Sequence, residues 1–224
     1  MFEAEQVSFA ERMQEVRALH QTISELESPD PLQPDPTRAV ILRGLFYVLL
    51  YGGFEFAVNQ IVSATLREIS SAAVDIAKLE QSFFSLALNA QLMSIESGAN
   101  QAKFERRLRL FEAQAQILPC AIDDTVLSMY LQNIDRDSLE QVFACFGITS
   151  PVVPAPRCFG YLNELVEKRR AVSHGRSGAE EAGRGYRSEE LLRRLDAVLD
   201  VVAHLESTFA TYISQRMYLA AVHR

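Results

Sequence analysis

The apolar residues of this chain recur at helical spacing, and no segment shows convincing strand-like alternation. From residue 5 to 27 they recur every three or four positions, at Phe9, Met13, Val16, Leu19 or His20, Ile23 and Leu26. This pattern predicts a first amphipathic helix. The segment SPDPLQPDP follows it. It predicts an extended connection, because each Pro fixes φ and lacks an amide donor.

A second helix is expected from about residue 37 to 78, where the chain is apolar without alternation. Asp35 is placed to cap this helix, and Pro36 suits its first turn. Gly52 and Gly53 would weaken it by about 1 kcal/mol each unless another backbone packs closely there. The pattern therefore predicts a long, buried helix.

The rest of the chain predicts shorter helices and one long final helix. Their expected spans are about 80–96, 100–117, 123–131, 137–146, 158–173 and 188–219. Asp137 with Glu140 resembles a capping box, and Gly147 is placed for a left-handed helix end. The Gly-rich stretch 175–187 predicts a mobile loop.

Together these elements predict an all-α fold, a helical bundle with an additional N-terminal helix. We expect residues 1–36 to hold the N-terminal helix and the Pro-rich connection, and residues 37–220 to form the helical domain. A chain of 224 residues that is 48% hydrophobic can bury one sizeable core. Several large domains are not expected.

The charge balance narrows the classes of partner. The formal net charge is -7, from 22 Lys plus Arg against 29 Asp plus Glu, so the overall field repels nucleic acid. This balance excludes a protein that coats DNA or RNA through many phosphate contacts. It does not exclude an enzyme with a small basic site.

The cysteines and the hydropathy of the chain indicate in which cellular compartment the protein is expected. The three cysteines, Cys120, Cys145 and Cys158, lie far apart, which predicts buried, reduced thiols and no metal site. The acidic N-terminus does not match a secretory signal. The apolar run between Arg43 and Glu55 is far shorter than the roughly 20 residues of a membrane-spanning helix. We therefore expect a cytoplasmic protein with no membrane partner.

Candidate chemistry is concentrated in LVEKRRAVSHGRSG, residues 165–178. This segment places five basic side chains close together in an acidic protein: Lys168, Arg169, Arg170, His174 and Arg176. One explanation is purely structural, because cations favour the last turn of a helix and Gly175 suits the position after it. The other explanation is a site for an anionic substrate.

The order L-V-x-x-R-x-x-x-x-H-G at the end of a late helix resembles the RxxxxH signature of HEPN domains. Arg169 and His174 occupy its two fixed positions, while Arg170 stands where that family often has Asn or another polar residue. The early segment LFYVLLYxxFEFAV and a final helix after a variable loop are similar to the RiboL-PSP and MAE-type HEPN subfamilies. The resemblance covers roughly residues 38 to 215.

The resemblance implies an all-helical fold and a homodimer that brings two motifs into one cleft. It also implies metal-independent cleavage of RNA, without a cofactor, often by a toxin or an anti-phage defence effector. An antitoxin or another regulatory protein is then a further expected partner. Some HEPN domains instead bind a nucleotide or a protein without catalysis, and this reading stays open beside a purely structural helical adaptor.

The residue types suit RNA cleavage. A neutral imidazole titrates near operating pH, so His174 could accept the proton of the ribose 2′-hydroxyl. Arg169 stays charged and presents paired donors that match phosphate oxygens. Lys168, Arg170 and Arg176 are candidates for binding the substrate. Two further residues, Tyr51 and Glu55, lie four apart on the second helix and are candidates for supporting the site, with Glu55 orienting an Arg or His. A carboxylate in this position is more often only a paired structural charge.

Helix geometry complicates this assignment. On an ideal helix Arg170 and His174 share a face, whereas Arg169 points well away from His174. Either the helix ends before His174, or His174 of one subunit serves with Arg169 of the other.

Overall fold

The computed structural model describes residues 2–30, 32–97, 100–115 and 117–224, and within these ranges it is all-α. The helices are α1 (Glu3–Leu26), α2 (Thr37–Ser71), α3 (Phe84–Ala87), α4 (Asn89–Glu96), α5 (Lys103–Gln114), α6 (Arg136–Phe146), α7 (Pro156–Ser173), α8 (Ala179–Gly183) and α9 (Ser188–Ser214). Two isolated β-bridges occur among the described residues, and no strand. The predicted fold class is confirmed.

Helix α2 is the central element of the bundle. It packs against α1, α7, α8 and α9, and buried apolar residues line most of its length, including Phe46, Leu50, Phe54, Val58 and Ile61. α2 is long and apolar enough to cross a membrane by length and composition alone, but half of its most apolar window is buried inside the fold. Such burial is also found in the core helices of globular domains.

Helix α1 packs on α2 through one apolar face. Met13, Val16 and Ile23 are almost fully buried there. A Cβ added at Gly53 would lie 2.3 Å from Cε of Met13, whereas one at Gly52 would meet nothing within 4 Å. The close packing expected at the two glycines therefore occurs at Gly53, against a side chain of α1.

The stretch 175–187 differs from the predicted mobile loop. It contains α8, which lies directly on α2: a Cβ at Gly44 would lie 1.9 Å from the carbonyl oxygen of Ala179, and one at Gly183 would lie 1.9 Å from that of Val40. The two glycines let the backbones of α2 and α8 touch. This contact between distant parts of the chain holds a segment whose composition alone suggested mobility.

A buried ionic cluster, here called the Arg43 cluster, joins α1, the Pro-rich connection, α2 and α9. Arg43 donates to Glu27 at 2.6 Å and also to Asp35. Arg187 lies 3.3 Å from Asp35 and 3.5 Å from Glu27. Glu27 also accepts a bond from the backbone N–H of Ser188 at 2.7 Å, a favourable contact at the start of α9. The predicted capping of α2 by Asp35 is therefore wrong, because these partners engage its carboxylate.

Several predicted boundaries also change. The expected helix 80–96 is divided at Leu88, and residues 123–131 form turns that lead into a short 3-10 segment instead of a helix. One residue of the expected helix 100–117, Gln116, lies outside the described ranges. The capping box of α6 forms at Asp135 and Ser138 rather than at Asp137. The left-handed end of α6 at Gly147, with φ of 69°, is confirmed.

Candidate functional site

Helix α7 carries the candidate motif, and its end is defined by local hydrogen bonds. The last helical residue is Ser173, His174 follows as the cap, and Gly175 adopts a left-handed φ of 64°. The N–H of Gly175 donates to the carbonyl of Val172, and that of Arg176 donates to the carbonyl of Ala171. These are the two bonds of a Schellman motif. The expected position of Gly175 after the helix is confirmed, and α7 ends immediately before His174.

Arg169 is held by three groups of its own chain. Nη1 donates to Oδ1 of Asn133 at 2.8 Å, and Nη2 lies 3.5 Å from Oε2 of Glu55. The guanidinium carbon sits 4.5 Å from the centroid of the Tyr51 ring. We call these four residues the Arg169 site. Its side chains remain partly open to solvent, with 19% of Arg169 and 24% of Glu55 exposed.

Burial changes the protonation of the two residues of α2 in this site. It raises the pKa of Tyr51 to about 12, with Glu55 adding to the shift. The phenol therefore stays protonated and donates to the carbonyl of Ile134 at 3.2 Å. Burial also raises the pKa of Glu55, and this outweighs the opposing effect of Arg169. The Glu55 carboxylate is thus a less stable anion than an exposed one.

Arg170 points to a different partner. Its Nη2 donates to Oδ2 of Asp135 at 3.0 Å, and the same carboxylate caps α6 through Ser138. Burial alone would raise the pKa of Asp135, but the hydrogen bonds from Ser138 and Arg170 outweigh it and lower the pKa. Arg170 and Arg169 therefore each face a carboxylate of another element.

Lys168 turns toward α8. Its Nζ donates to the carbonyl of Ala182 at 2.5 Å and lies 4.7 Å from the ring centroid of Tyr47 and 5.2 Å from that of Tyr186. Burial lowers the pKa of this amine, while Glu164 acts in the opposite direction. Lys168 thus supports α8 within the chain, whereas Arg176 is exposed.

His174 is exposed at the end of α7. Among the described residues its ring makes no hydrogen bond or ion pair, with Arg169 or with any other group. The structure therefore brings Tyr51 and Glu55 to Arg169, and leaves His174 open to solvent at the end of the same helix.

The model of the family RiboL-PSP-HEPN matches residues 8–211 of the chain. The chain belongs to the RiboL-PSP-HEPN family. The matched region begins within α1 and reaches nearly to the end of α9, so it is longer than the roughly 38 to 215 covered by the sequence resemblance. No curated protein and no solved structure shows significant similarity to the chain.

One residue of this RiboL-PSP-HEPN site, Asn133, was not anticipated from the sequence. It lies in the irregular segment before α6, two residues from the cap residue Asp135, and is 36 positions from Arg169. Its side chain, together with Glu55, orients the guanidinium. The sequence reading gave no signal for Asn133, since it predicted the capping box of α6 at Asp137, whereas the box forms at Asp135 and Ser138.

A second polar network fixes α7 of the RiboL-PSP-HEPN domain to α2 and α9. Tyr47 donates to Oε1 of Glu164 at 3.0 Å, and Arg194 donates to Oε2 of the same residue at 2.9 Å. Burial and the neighbouring Glu164 raise the pKa of Tyr47. The helix that carries Arg169 is thereby held one turn before the motif.

No group of three or more His, Cys, Asp or Glu side chains suited to a metal ion occurs among the residues that the structure describes. The three cysteines are unpaired thiols, two of them buried. The groups present at the end of α7 are the guanidinium of Arg169, the imidazole of His174 and the polar side chains around Arg169.

Proposed function

We propose that this RiboL-PSP-HEPN protein is an endoribonuclease that cleaves RNA without a metal, with His174 as the general base and Arg169 as the stabiliser of the transition state. The observation that carries the proposal is the orientation of Arg169 by Asn133 and Glu55 on the helix that ends at the exposed imidazole of His174. Membership of a family in which RNA cleavage is common supports it.

In the proposed reaction His174 takes the proton of the ribose 2′-hydroxyl as the 2′ oxygen attacks the neighbouring phosphorus. The bond from phosphorus to the 5′ oxygen breaks and that oxygen takes up a proton from water, which leaves a 2′,3′-cyclic phosphate and a 5′-hydroxyl end; His174 then releases its proton to solvent. Negative charge accumulates on the phosphate oxygens in the transition state, and a preorganised guanidinium stabilises it. The contact between Glu55 and Arg169 would break readily when Arg169 binds a phosphate, because this contact is long and burial disfavours the Glu55 anion.

We further propose that the active form is a homodimer. Arg169 leans onto the Tyr51 ring and Glu55 of α2, while the ring of His174 has no partner among the described residues. A second copy could place its His174 against this Arg169. Within such a cleft Arg170 and Arg176 are the candidates for contacting the RNA. Lys168 would instead hold α8 in place at the side of the cleft.

The biological role that fits this chemistry is that of a toxin or an anti-phage defence effector, controlled by an antitoxin or another regulatory protein. Such an enzyme would slow growth when expressed alone. His174→Ala should restore growth, and His223→Ala, which changes another exposed histidine, should not. Equal growth with the wild-type chain and the His174 variant would contradict the proposal.

The activity itself is tested with purified protein and RNA in EDTA. Cleavage should persist in the chelator and yield cyclic phosphate ends, and His174→Ala should slow it roughly 100- to 10,000-fold. The His223→Ala protein is the matched control and should cleave normally. A requirement for a divalent ion would refute the metal-free mechanism.

A second candidate is a HEPN module that binds a nucleotide or a protein without catalysis. It is favoured by the pairing of both motif arginines with carboxylates, Arg169 with Glu55 and Arg170 with Asp135. This reading predicts that a nucleotide raises the melting temperature of the wild-type protein, that Arg169→Ala abolishes the increase, and that RNA is not cleaved.

A further inference from the structure

Helix α5 turns its largest apolar side chains toward solvent. Phe104, Leu108 and Phe111 are 73%, 64% and 65% exposed. They are spaced by four and three residues, so they form one stripe on the helix surface. We call these three residues the α5 stripe.

The opposite side of α5 attaches the helix to the rest of the domain. Ala113 is its buried residue, and Arg106 donates to the backbone carbonyl of Ser94. At 3.6 residues per turn, positions 106 and 113 lie across the helix from the stripe. The α5 stripe is therefore not the face by which α5 packs on the domain, because the opposite face makes those contacts.

The two edges of the α5 stripe carry opposite charges. Arg107 borders it on one edge, and Glu105 and Glu112 border it on the other. Glu105 pairs with Arg109 on its own helix. Arg107 and Glu112 are exposed, and neither forms an ion pair within the ranges that the structure describes.

This charge arrangement distinguishes between the candidate occupants of the stripe. In the heptad notation of coiled coils, the three residues of the α5 stripe occupy positions d, a and d. Arg107 then occupies position g, and Glu112 occupies position e of the next heptad. Parallel helices bring g of one chain to e of the other, so Arg107 would meet the partner's Glu112, twice by symmetry. Antiparallel packing would place like charges together. A lipid surface with anionic headgroups would meet the acidic edge unfavourably.

We propose that the α5 stripe is a second self-association surface, on which α5 of another copy of this chain packs in parallel with paired Arg107 and Glu112. Three side chains from each copy would bury on the order of 700 Å², less than the roughly 1,200 Å² of stable interfaces. The association is therefore weak and dependent on protein concentration.

This surface is separate from the Arg169 site. α5 packs against α4 and against the 3-10 segment Ile76–Lys78, which follows the end of α2. Glu55 lies about 20 Å or more back along α2 from Ser71, at 1.5 Å per residue. The α5 contact would thus add a second two-fold interface to a dimer formed at the motif, and it does not depend on whether the protein cleaves RNA.

A charge-swap experiment on the full-length protein tests the proposal by sedimentation velocity over a range of concentrations. Arg107→Glu and Glu112→Arg should each shift association to roughly tenfold higher concentration, because both create like-charge contacts. The double variant should return it to within about threefold of the wild-type value. Arg17→Glu makes the same charge change at an exposed position of α1, away from the stripe, and should have little effect.

Two results would overturn the proposal. The first is association that is unaffected by either single variant, or that the double variant does not restore. The second comes from vesicles containing phosphatidylserine: if the protein binds them, and Arg107→Glu weakens while Glu112→Arg strengthens that binding, the stripe faces lipid. Pairing with another copy requires both single variants to weaken association. Circular dichroism of each variant would show that α5 still folds.

Discussion

Two clusters of arginine and carboxylate groups lie on α2, one near its beginning and one near its middle, and they differ in burial and in how fully they are paired. In the Arg43 cluster the side chain of Arg43 is 5% exposed and bonded to both Glu27 and Asp35. In the Arg169 site the arginine is 19% exposed, and its carboxylate contact is 3.5 Å long. The first cluster is fully paired within its own chain, whereas the arginine of the second is partly exposed and only weakly paired with its carboxylate.

This difference separates a structural ion pair from a candidate site. A buried charge without a partner is costly, so the Arg43 cluster has to be complete in the folded chain. A partly exposed arginine can exchange a weak carboxylate contact for a phosphate at little cost. The Arg43 cluster connects four parts of the fold, while the Arg169 site presents a cation at a surface.

The largest expected effect is on stability, from Arg43→Ala. It should lower the free energy of unfolding by up to about 3–5 kcal/mol, because Glu27 and Asp35 would remain buried with only the partly exposed Arg187, 3.3 to 3.5 Å away, as a cation. Urea unfolding followed by circular dichroism would measure the loss. The control is Arg67→Ala, which removes an exposed guanidinium that pairs with Glu5 at 3.4 Å and with Asp124 at 3.6 Å and should cost less than about 1 kcal/mol. Equal losses would erase the distinction between the two clusters.

The second effect should fall on activity instead. Arg169→Ala is expected to raise the barrier to RNA cleavage by about 3 kcal/mol, or roughly 100-fold in rate, and to change the free energy of unfolding by less than about 1 kcal/mol. Arg170→Ala, measured beside it, would show which arginine is the main phosphate contact. A large loss of stability with unchanged cleavage would make Arg169 a structural residue like Arg43.

The smallest expected effect is on how the free energy of unfolding depends on pH. The contributions of Asp35 and Glu55 to this dependence should have opposite signs. Burial alone would raise the pKa of Asp35, but the bonds from Arg43 and Ser28 outweigh it and lower the pKa. The stability that ionised Asp35 contributes to the folded protein is therefore present above about pH 4. It is lost as the pH falls through the pKa of Asp35 in the folded state. Asp35→Asn should destabilise the protein at neutral pH, and the difference from wild type should shrink in acid.

For Glu55 the folded pKa is raised, mainly by burial, so its ionisation opposes folding and the opposition grows as the pH rises through that value. Glu55→Gln should therefore leave neutral-pH stability unchanged or higher by about 1 kcal/mol or less. Urea midpoints measured from acid to neutral pH would compare the two variants. A marked destabilisation by Glu55→Gln at neutral pH would contradict the assignment of opposite signs.

The sequence predicted those parts of the fold that depend on local signals. The continuous apolar run gave α2, and the Gly residues at 147 and 175 marked helix ends that the structure confirms. α8 was missed because its support is the backbone of α2 beside Gly44, far away in the chain. The function of Asp35 was misassigned for the same reason, since Arg187 reaches it from the start of α9.

The candidate site was predictable only in part. The four-residue spacing of Tyr51 and Glu55 placed both side chains on one face of α2, and both contact Arg169. Asn133 could not be found, because it lies in an irregular segment whose path is set by the cap of α6. The sequence also could not predict that Lys168 and Arg170 have different partners, since these contacts depend on where α8 and Asp135 lie in the fold.

The close seating of α8 on α2 has a consequence for the chain beside His174. Because the backbones touch at Gly44 and Gly183, the chain on either side of α8 consists of two short tethers, 175–178 and 184–187, rather than one long flap. The chain that follows His174 is therefore anchored to α2 at Ala179, five residues further on.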